Sequence, residues 1–291
     1  MYARLKGGLY ILKRCDRLTT HIKGSRPRSL ATWRKVHCTA RYISNMTSNT
    51  DASQTGSVAP KAGVLEKVDT LESWLERWEQ RDIGFHMENV NKSLEKHIDR
   101  LLKGRQNLRL FIPLCGKTVD IKWLADQGHT VVGVEISEQA INEFFSEQKL
   151  EFTKKAVQGF DGPLYKSSDE KIRLYCGDLY HFNRDLEGQF DGIWDRGSLV
   201  AINRDDRKKY SELLLSLMNP DCVYLLDTFT YDQSKYEGPP HSTTLDEVQQ
   251  LYGSVCTVEE IDSFDALEQR HRDSWGLDRL TENVIVMNWK Q

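Results

Sequence analysis

Short apolar runs alternate with amphipathic segments through residues 108–289, and this alternation constrains the fold more than any other feature of the chain. Strands are predicted at Leu108–Leu114, Thr130–Ile136, Ile172–Cys176, Phe190–Trp194, Cys222–Thr230 and Val284–Trp289. Helical spacing is found at Lys117–Gln127, after Ser137, at Asp205–Met218 and at Leu245–Tyr252. Strands that alternate with helices in this way predict one doubly wound α/β domain with a Rossmann-like, mostly parallel sheet covered on both faces.

Two further helices are predicted before the first strand. Leu71, Trp74, Leu75 and Trp78 follow the i, i+3, i+4, i+7 spacing of one helix face, and Asp69 is the predicted N-cap. A second amphipathic helix is predicted over Asn89–Leu102. Periodicity alone does not distinguish tryptophans that line a site from tryptophans that fill a core, so both readings stay open here.

The first 45 residues differ in composition from the rest of the chain. They hold eleven basic side chains and one acidic side chain, whereas the whole chain carries a formal net charge of −3. An Arg-rich segment with few acids is typical of a mitochondrial presequence. The alternative is an upstream start, because Met46 is a second plausible initiator and precedes a Ser/Thr/Gly-rich linker. We expect residues 1–63 to be disordered and residues 64–291 to form a single domain.

Charge and cysteine content exclude several classes of function. The net charge of −3 gives no support to nucleic-acid binding. The six cysteines are scattered without any CxxC pair, which argues against a structural metal site or a disulfide framework. No apolar run approaches the roughly 18 residues that a membrane-spanning helix needs.

The loop after the first predicted strand carries the first chemical signal. Pro113–Lys117 contains one glycine, Gly116, and lacks both the GxGxxG and the GxxxxGK[ST] patterns that cradle phosphates. Glu135 nevertheless ends the second strand, where doubly wound domains place an acid that binds ribose hydroxyls. A ribose-binding acid without a phosphate cradle indicates a nucleoside without phosphates, and S-adenosylmethionine fits that description.

Polar residues also follow the next two strands. Asp178 comes after the third strand, and Asp195-Arg196 end the fourth. If the strands are parallel, these groups converge with Glu135 on one crevice at the carboxyl edge of the sheet. Two alternatives remain open at this point: an isolated acid after a strand is commonly a solvated cap, and Arg196 is placed to form a structural ion pair with Asp195.

Four segments of the chain make a family resemblance recognisable. Ile112–Glu138, Phe190–Asn203, Gly238–Pro240 and Arg270–Leu280 closely resemble the thiopurine S-methyltransferase family, and the similarity runs from about Leu65 to the C-terminus. The resemblance implies the seven-stranded methyltransferase fold. It also implies transfer of a methyl group from S-adenosylmethionine to aromatic and heterocyclic thiols.

The resemblance assigns roles to individual residues of this chain. The cofactor residues would be Trp74, Trp78, Phe85, Leu114, Gly116, Glu135, Ile136, Gly177, Asp178 and Arg196. Phe85, Pro240 and Arg270 would contact the substrate, and Arg196 would act catalytically at the boundary between cofactor and thiol. By contrast, we expect Cys115 to be a small buried residue and Lys117 to be a first-turn helix residue. Among the histidines, His86 is the candidate to approach the site, with a plain structural role as the open alternative, and no metal is expected.

Other functions are weighed against this one. A methyltransferase for another soft nucleophile, such as thiocyanate or a selenium or tellurium species, is the main alternative. A dinucleotide-dependent oxidoreductase is disfavoured by the missing glycine pattern, and a catalytically silent relative is disfavoured by the intact Glu135, Arg196 and Phe85. We expect a monomer with a small thiol as partner and neither nucleic acid nor membrane, in the cytoplasm or, if residues 1–45 act as a presequence, in mitochondria.

Overall fold

A computed structural model describes residues 68–291 of the chain. The predicted presequence over residues 1–45 and the disorder expected through residue 63 lie outside the described residues and stay predictions. No helix in the described part is long and apolar enough to cross a membrane.

Nine strands and eight α-helices make up the fold of residues 68–291. The strands are β1 (Arg109–Ile112), β2 (Thr130–Glu135), β3 (Phe152–Ala156), β4 (Pro163–Ser167), β5 (Ile172–Cys176), β6 (Phe190–Arg196), β7 (Met218–Thr230), β8 (Cys256–Asp265) and β9 (Thr281–Trp289). The helices are α1 (Leu71–Glu79), α2 (Lys92–Leu102), α3 (Asp120–Asp126), α4 (Glu138–Glu147), α5 (Arg184–Glu187), α6 (Arg207–Leu217), α7 (Leu245–Tyr252) and α8 (Gln269–Trp275).

All the strands belong to one sheet, in the order β3-β4-β5-β2-β1-β6-β7-β9-β8. The central strands β5, β2, β1, β6 and β7 pair in parallel, whereas β9 runs antiparallel between β7 and β8. The predicted seven-stranded, mostly parallel arrangement is therefore confirmed from β5 to β8. A two-stranded antiparallel addition, β3 and β4, extends it at the β5 edge.

Apolar side chains cover both faces of this sheet because each central strand is buried on both sides. On one face Phe111 of β1 stacks on Phe182 and Phe190, with ring centroids 5.2 Å and 4.9 Å away. On the other face Leu94 and Leu101 of α2 are fully buried against the sheet. The core therefore consists of two layers that fix the strand ends between them.

The topology puts a crevice at the carboxyl ends of the central strands. The chain leaves β1 toward β2 and β5 on one side and later adds β6 and β7 on the other. The order of the strands therefore reverses between β1 and β6, and ligands of open α/β sheets bind outside the strand ends at such a point.

Some predicted elements differ from those in the structure. The N-cap of α1 is Thr70 rather than Asp69, because Thr70 and Ser73 exchange side-chain to backbone hydrogen bonds of 3.2 Å and 3.0 Å. The backbone of Asp69 instead pairs with the side-chain amide of Asn203: the Asp69 N–H donates to Oδ1 at 3.0 Å, and the Asp69 carbonyl accepts from Nδ2 at 2.8 Å. The elements β3, β4, β8, α5 and α8 were not predicted, because these segments lack a long apolar pattern.

Candidate active site

The turn after β1 forms the floor of the crevice. Leu114 and Gly116 both adopt left-handed conformations, with φ of 41° and 51°. A Cβ at Gly116 would lie 3.3 Å from the Trp78 indole, so glycine lets α1 pack closely over this turn. The thiol of Cys115 is buried beneath the turn, and burial raises its pKa, which keeps it protonated and confirms its expected structural role.

Glu135 joins this turn to the end of β2. Its Oε2 atom accepts a hydrogen bond of 2.9 Å from the Gly116 amide, and its Oε1 atom accepts one of 2.8 Å from the Ser137 amide. Burial raises the pKa of the carboxyl to about 7, and the amides of Ser137 and Gly116 act in the opposite direction. Each carboxylate oxygen has two lone pairs, so both keep capacity to accept from a vicinal diol.

The end of β5 lies beside Glu135. The Gly177 amide donates a hydrogen bond of 2.9 Å to the backbone carbonyl of Glu135. Ile136, the residue after Glu135, is half-buried. A Cβ at Gly177 would come within 2.9 Å of both the Asp161 carbonyl oxygen and the Phe160 ring, so only glycine fits there without movement. Asp178 is half-buried and caps the following turn, with its Oδ1 accepting 2.8 Å from the Tyr180 amide.

Three aromatic rings from the N-terminal segment pack together, and one of them lies against the turn at Gly116. Phe85 meets Trp74 and Trp78 edge to face, with centroids 5.8 Å and 5.6 Å apart. Trp78 is 2% exposed, and its backbone carbonyl accepts 3.1 Å from the Gln139 side chain of α4. Trp78 is therefore buried, as a core tryptophan would be, and also lies against the turn at Gly116, while its contact with a cofactor stays a prediction.

Two arginines from different elements of the fold bind the backbone next to Phe85. Arg196, at the end of β6, donates from Nη1 to the Phe85 carbonyl at 2.7 Å. Arg270, in α8, donates to the Gly84 carbonyl at 3.4 Å and pairs with Glu268 at 2.7 Å. Both guanidinium groups are therefore bound to backbone carbonyls of two adjacent residues, Gly84 and Phe85.

Asp195 does not pair with Arg196 among residues 68–291. Its carboxylate instead accepts from the hydroxyls of Tyr210 and Tyr224, at 2.7 Å and 2.5 Å, and from the Leu199 amide at 3.1 Å. Burial raises the pKa of this carboxyl, and the tyrosine hydroxyls stabilise its charged form. Asp195 thus fixes the chain after β6 on one face of the sheet, and Arg196 points to the other face.

The Gly238–Pro240 loop borders the same end of the sheet. The Pro240 carbonyl accepts 2.5 Å from the Tyr231 hydroxyl, and the His241 amide donates 2.7 Å to the Val200 carbonyl just after β6. Two successive cis peptide bonds, Gly238-Pro239 and Pro239-Pro240, shape this loop. The structure thus connects the loop to the segment that follows Arg196 but shows no contact of Pro240 with Phe85.

Two side chains near the crevice were also considered in the sequence analysis. Lys117 is not a first-turn residue, because α3 begins at Asp120. Its ammonium binds Glu143 at 2.9 Å and Glu147 at 2.7 Å. His86 follows Phe85, and its pKa is lowered by burial and by the positive charge of Lys117. A neutral imidazole therefore lies near the two arginine-bound carbonyls at neutral pH.

Sequence reasoning missed several residues that hold the site together. The Ser198 hydroxyl donates 2.6 Å to the Pro113 carbonyl, which connects the ends of β1 and β6. Asn203 binds the backbone of Asp69 just before α1. Gln139 binds the Trp78 carbonyl near the end of α1. Asp227 of β7 is 2% exposed. An acid within the apolar run of β7 was the one signal in the sequence that would have identified Asp227.

Known proteins match this chain over nearly all of its described residues. The family model for thiopurine S-methyltransferase matches residues 69–290. The probable thiopurine S-methyltransferase of Danio rerio is 49% identical over 226 residues, which cover 77% of this chain and 97% of the relative. The thiopurine S-methyltransferase of Bos taurus is 46% identical over 226 residues, which cover 77% and 92%.

Solved structures of methyltransferases share the fold. A methyltransferase of Anabaena variabilis, described as dependent on S-adenosylmethionine, matches with a TM-score of 0.52 at 13% identity, covering 79% of this chain and 100% of that one. The 1,6-didemethyltoxoflavin-N1-methyltransferase of Burkholderia thailandensis, solved with S-adenosylhomocysteine, matches at 0.50 and 16%, covering 76% and 87%. The sequence resemblance is therefore confirmed, and this chain belongs to the thiopurine S-methyltransferase family.

Proposed function

We propose that this protein transfers the methyl group of S-adenosylmethionine to the sulfur of small aromatic and heterocyclic thiols, such as thiopurines. The observation that carries the proposal is the buried Glu135 carboxylate at the end of β2, bound to the amide of Gly116 under an aromatic cover. Membership of the family supports the same reaction.

The crevice fits a nucleoside cofactor without phosphates. Glu135 presents a carboxylate to a ribose diol, and charge-assisted hydrogen bonds of this kind contribute about 1.5–3 kcal/mol each. Gly116 and Gly177 let Trp78 and Phe160 pack closely against the two turns that border Glu135. We assign Leu114, Ile136, Asp178, Trp74 and Trp78 to the same side of the site, and the turn at Gly116 offers no cradle for a pyrophosphate.

The cofactor supplies an activated methyl group on a sulfonium, so the protein's own residues act mainly by orientation, exclusion of water and charge. Phe85, held by Trp74 and Trp78, would form an apolar lid over the reacting atoms. Arg196 and Arg270, both bound to the carbonyls of residues 84–85, would stabilise the thiolate because a guanidinium stays protonated at every working pH. We assign Arg196 the catalytic role and Phe85, Pro240 and Arg270 the substrate contacts.

A dedicated base is not required in this scheme. Aromatic and heterocyclic thiols ionise near neutral pH, and the arginines favour the anion further. Aromatic side chains next to the guanidinium groups of Arg196 and Arg270 suit an acceptor that is flat, polarisable and negatively charged. This combination favours thiols over thiocyanate and over selenium or tellurium species, whose small size would leave the aromatic cover without a partner.

Methyl transfer by the full chain to a panel of acceptors tests the proposal. We expect methylation of a thiopurine and of an aryl thiol, and only weak methylation of thiocyanate and hydrogen selenide. Arg196→Met should lower kcat for both thiols, whereas Arg184→Met, on the exposed surface of α5, should leave it unchanged. Methylation of no thiol, or preference for thiocyanate or selenide, would contradict the proposal.

We also propose that the protein acts on foreign thiols as a monomer in the cytoplasm. Light scattering on the purified full chain tests the monomer. Imaging the full chain beside a chain that starts at Met46 tests the compartment, because mitochondrial targeting of the longer chain alone would favour a working presequence.

A further inference from the structure

Asp227 is an acid buried inside the sheet. It lies near the carboxyl end of β7 and is 2% exposed. As an ionised carboxylate it accepts no hydrogen bond from the described residues, and once protonated it can donate to Glu282. A buried, unpaired carboxylate costs several kcal/mol, so this side chain needs either a counter-ion or a proton.

The strand register identifies the neighbours of Asp227. Arg196 of β6 lies directly opposite it, and the Nε atom of this arginine is also buried without a partner. On the other side, Glu282 of β9 pairs with Phe229, two residues further along β7. Residues two apart share one face of a sheet, so Glu282 is the diagonal neighbour of Asp227. Asp227 thus stands between a guanidinium and a second carboxylate.

Few other polar groups contact the cluster formed by Asp227, Arg196 and Glu282. From α2, only the neutral Ser93 side chain is bonded to it, donating 2.8 Å to Oε1 of Glu282. Asp195 precedes Arg196 on β6, but its side chain is bonded to tyrosines on the opposite face. Arg196 itself is held by the Phe85 carbonyl at 2.7 Å. Arg196 and Glu282 are therefore the charged groups with the largest effect on Asp227, and the charge of Asp195 adds a smaller one.

Arg196 is the one group that opposes protonation of Asp227. Burial, the charge and hydrogen bond of Glu282, and the charge of Asp195 together raise the pKa of Asp227 well above its usual range. A group with a raised pKa keeps its proton at neutral pH and loses it as the pH rises. A neutral Asp227 can donate to Glu282 and leaves the charge of Arg196 uncompensated.

We propose that Asp227 is a positioning residue whose bound proton keeps Arg196 available for the substrate's sulfur anion. The proposal rests on the proposed methylation of thiols. If Asp227 lost its proton, a carboxylate would stand directly opposite Arg196 and would compete with the thiolate for the guanidinium. The enzyme would then bind and orient thiolates less well at alkaline pH, although the thiols themselves would be more fully ionised.

Profiles of kcat/KM against pH test the proposal on the full chain. The acceptor is an aryl thiol that is already fully ionised at the acid end of the range, so the substrate adds no titration of its own. For the unmodified protein we expect a fall at alkaline pH that approaches about tenfold per pH unit beyond the transition. In Asp227→Asn, which cannot ionise, the alkaline fall should disappear.

Glu282→Gln provides a second and opposite readout. Removing the Glu282 charge should lower the pKa of Asp227, so the alkaline fall should move toward neutral pH. Asp221→Asn is the matched control, because Asp221 is an exposed acid at the other end of the same strand, and its profile should match that of the unmodified protein. A purely structural role would lower kcat/KM in the two test variants without changing the shape of the profiles.

The outcomes separate this proposal from the proposed function. An unmodified protein that methylates no thiol overturns both. An active protein whose alkaline fall persists in Asp227→Asn overturns the role of Asp227 alone. If Asp227→Asn does not fold, Glu282→Gln decides: a fall displaced toward neutral pH supports the proposal, and an unmoved fall overturns it.

Discussion

The two halves of the crevice are built differently. On the side of β1, β2 and β5, the contacts run between backbone amides, glycines and the buried carboxylate of Glu135. On the side of β6, β7 and α8, long side chains reach carbonyls of a surface segment, and Arg270 does so from an exposed position. Backbone contacts leave little freedom, whereas exposed long side chains reorient at small cost. We infer that the first half, the rigid half, is specialised for one cofactor. The second half, the adaptable half, tolerates a range of thiols.

The largest expected effect of a single substitution is in the rigid half. Glu135→Ala removes the acceptor for both ribose hydroxyls and leaves two amides without a partner. At about 1.5–3 kcal/mol per charge-assisted bond, affinity for S-adenosylhomocysteine should fall at least about 100-fold. Calorimetry on the full chain measures this affinity. Glu147→Ala is the control, since that carboxylate binds Lys117 at the surface and its loss should leave the affinity nearly unchanged. Similar affinities of Glu135→Ala and the unmodified protein would contradict the proposed cofactor-binding role of the rigid half.

A pair of glycine substitutions compares the stability of the two halves. In Gly177→Ala the new Cβ would meet the Asp161 carbonyl oxygen and the Phe160 ring at 2.9 Å, so we expect a loss of about 1–3 kcal/mol in the free energy of unfolding. In Gly84→Ala nothing lies within 4 Å of the new Cβ, and the stability should barely change. Urea unfolding measures both variants, and equal losses would contradict the proposed difference in packing.

Cofactor binding should depend on pH through Glu135. Its pKa of about 7 means that the carboxyl is protonated below neutral pH, and only the carboxylate accepts from both ribose hydroxyls. Affinity for S-adenosylhomocysteine should therefore rise from about pH 6 to about pH 8, by up to about tenfold, with release of a proton on binding. Calorimetry in buffers of different ionisation enthalpy detects that proton. An equally steep pH dependence in Glu135→Gln would assign the effect to another group.

The smallest effect is expected in the adaptable half. Arg270→Met removes one of two guanidinium groups, and because Arg270 is exposed we expect a three- to tenfold rise in KM for an aryl thiol. Affinity for S-adenosylhomocysteine should stay the same. A loss of cofactor affinity comparable to that of Glu135→Ala would show that the two halves are not independent.

Much of the rigid half was predictable from the sequence. β1, β2 and β5 are largely buried on both faces, so their sequences are mostly apolar and their ends fix the positions of Gly116 and Glu135. β3 is exposed along its length, and β8 carries several acids on an edge of the sheet. Edge strands of this kind lack a hydrophobic pattern, and for this reason the sequence analysis missed both.

The adaptable half was less predictable for a physical reason. The family resemblance suggested Arg196 and Arg270, but their shared attachment to residues 84–85 joins segments 111 and 186 residues apart. No local pattern encodes such contacts. The expected alternative of an Asp195–Arg196 ion pair also failed for a structural reason, since neighbouring residues of a strand point to opposite faces.

The most direct test of the account is calorimetric titration of the unmodified full chain with S-adenosylhomocysteine and, separately, with NAD. A buried ribose acid without a phosphate cradle predicts micromolar binding of S-adenosylhomocysteine and no binding of NAD. Binding of NAD, or failure to bind S-adenosylhomocysteine, would contradict the assignment of Glu135 and Gly116 to a methyl-donor site.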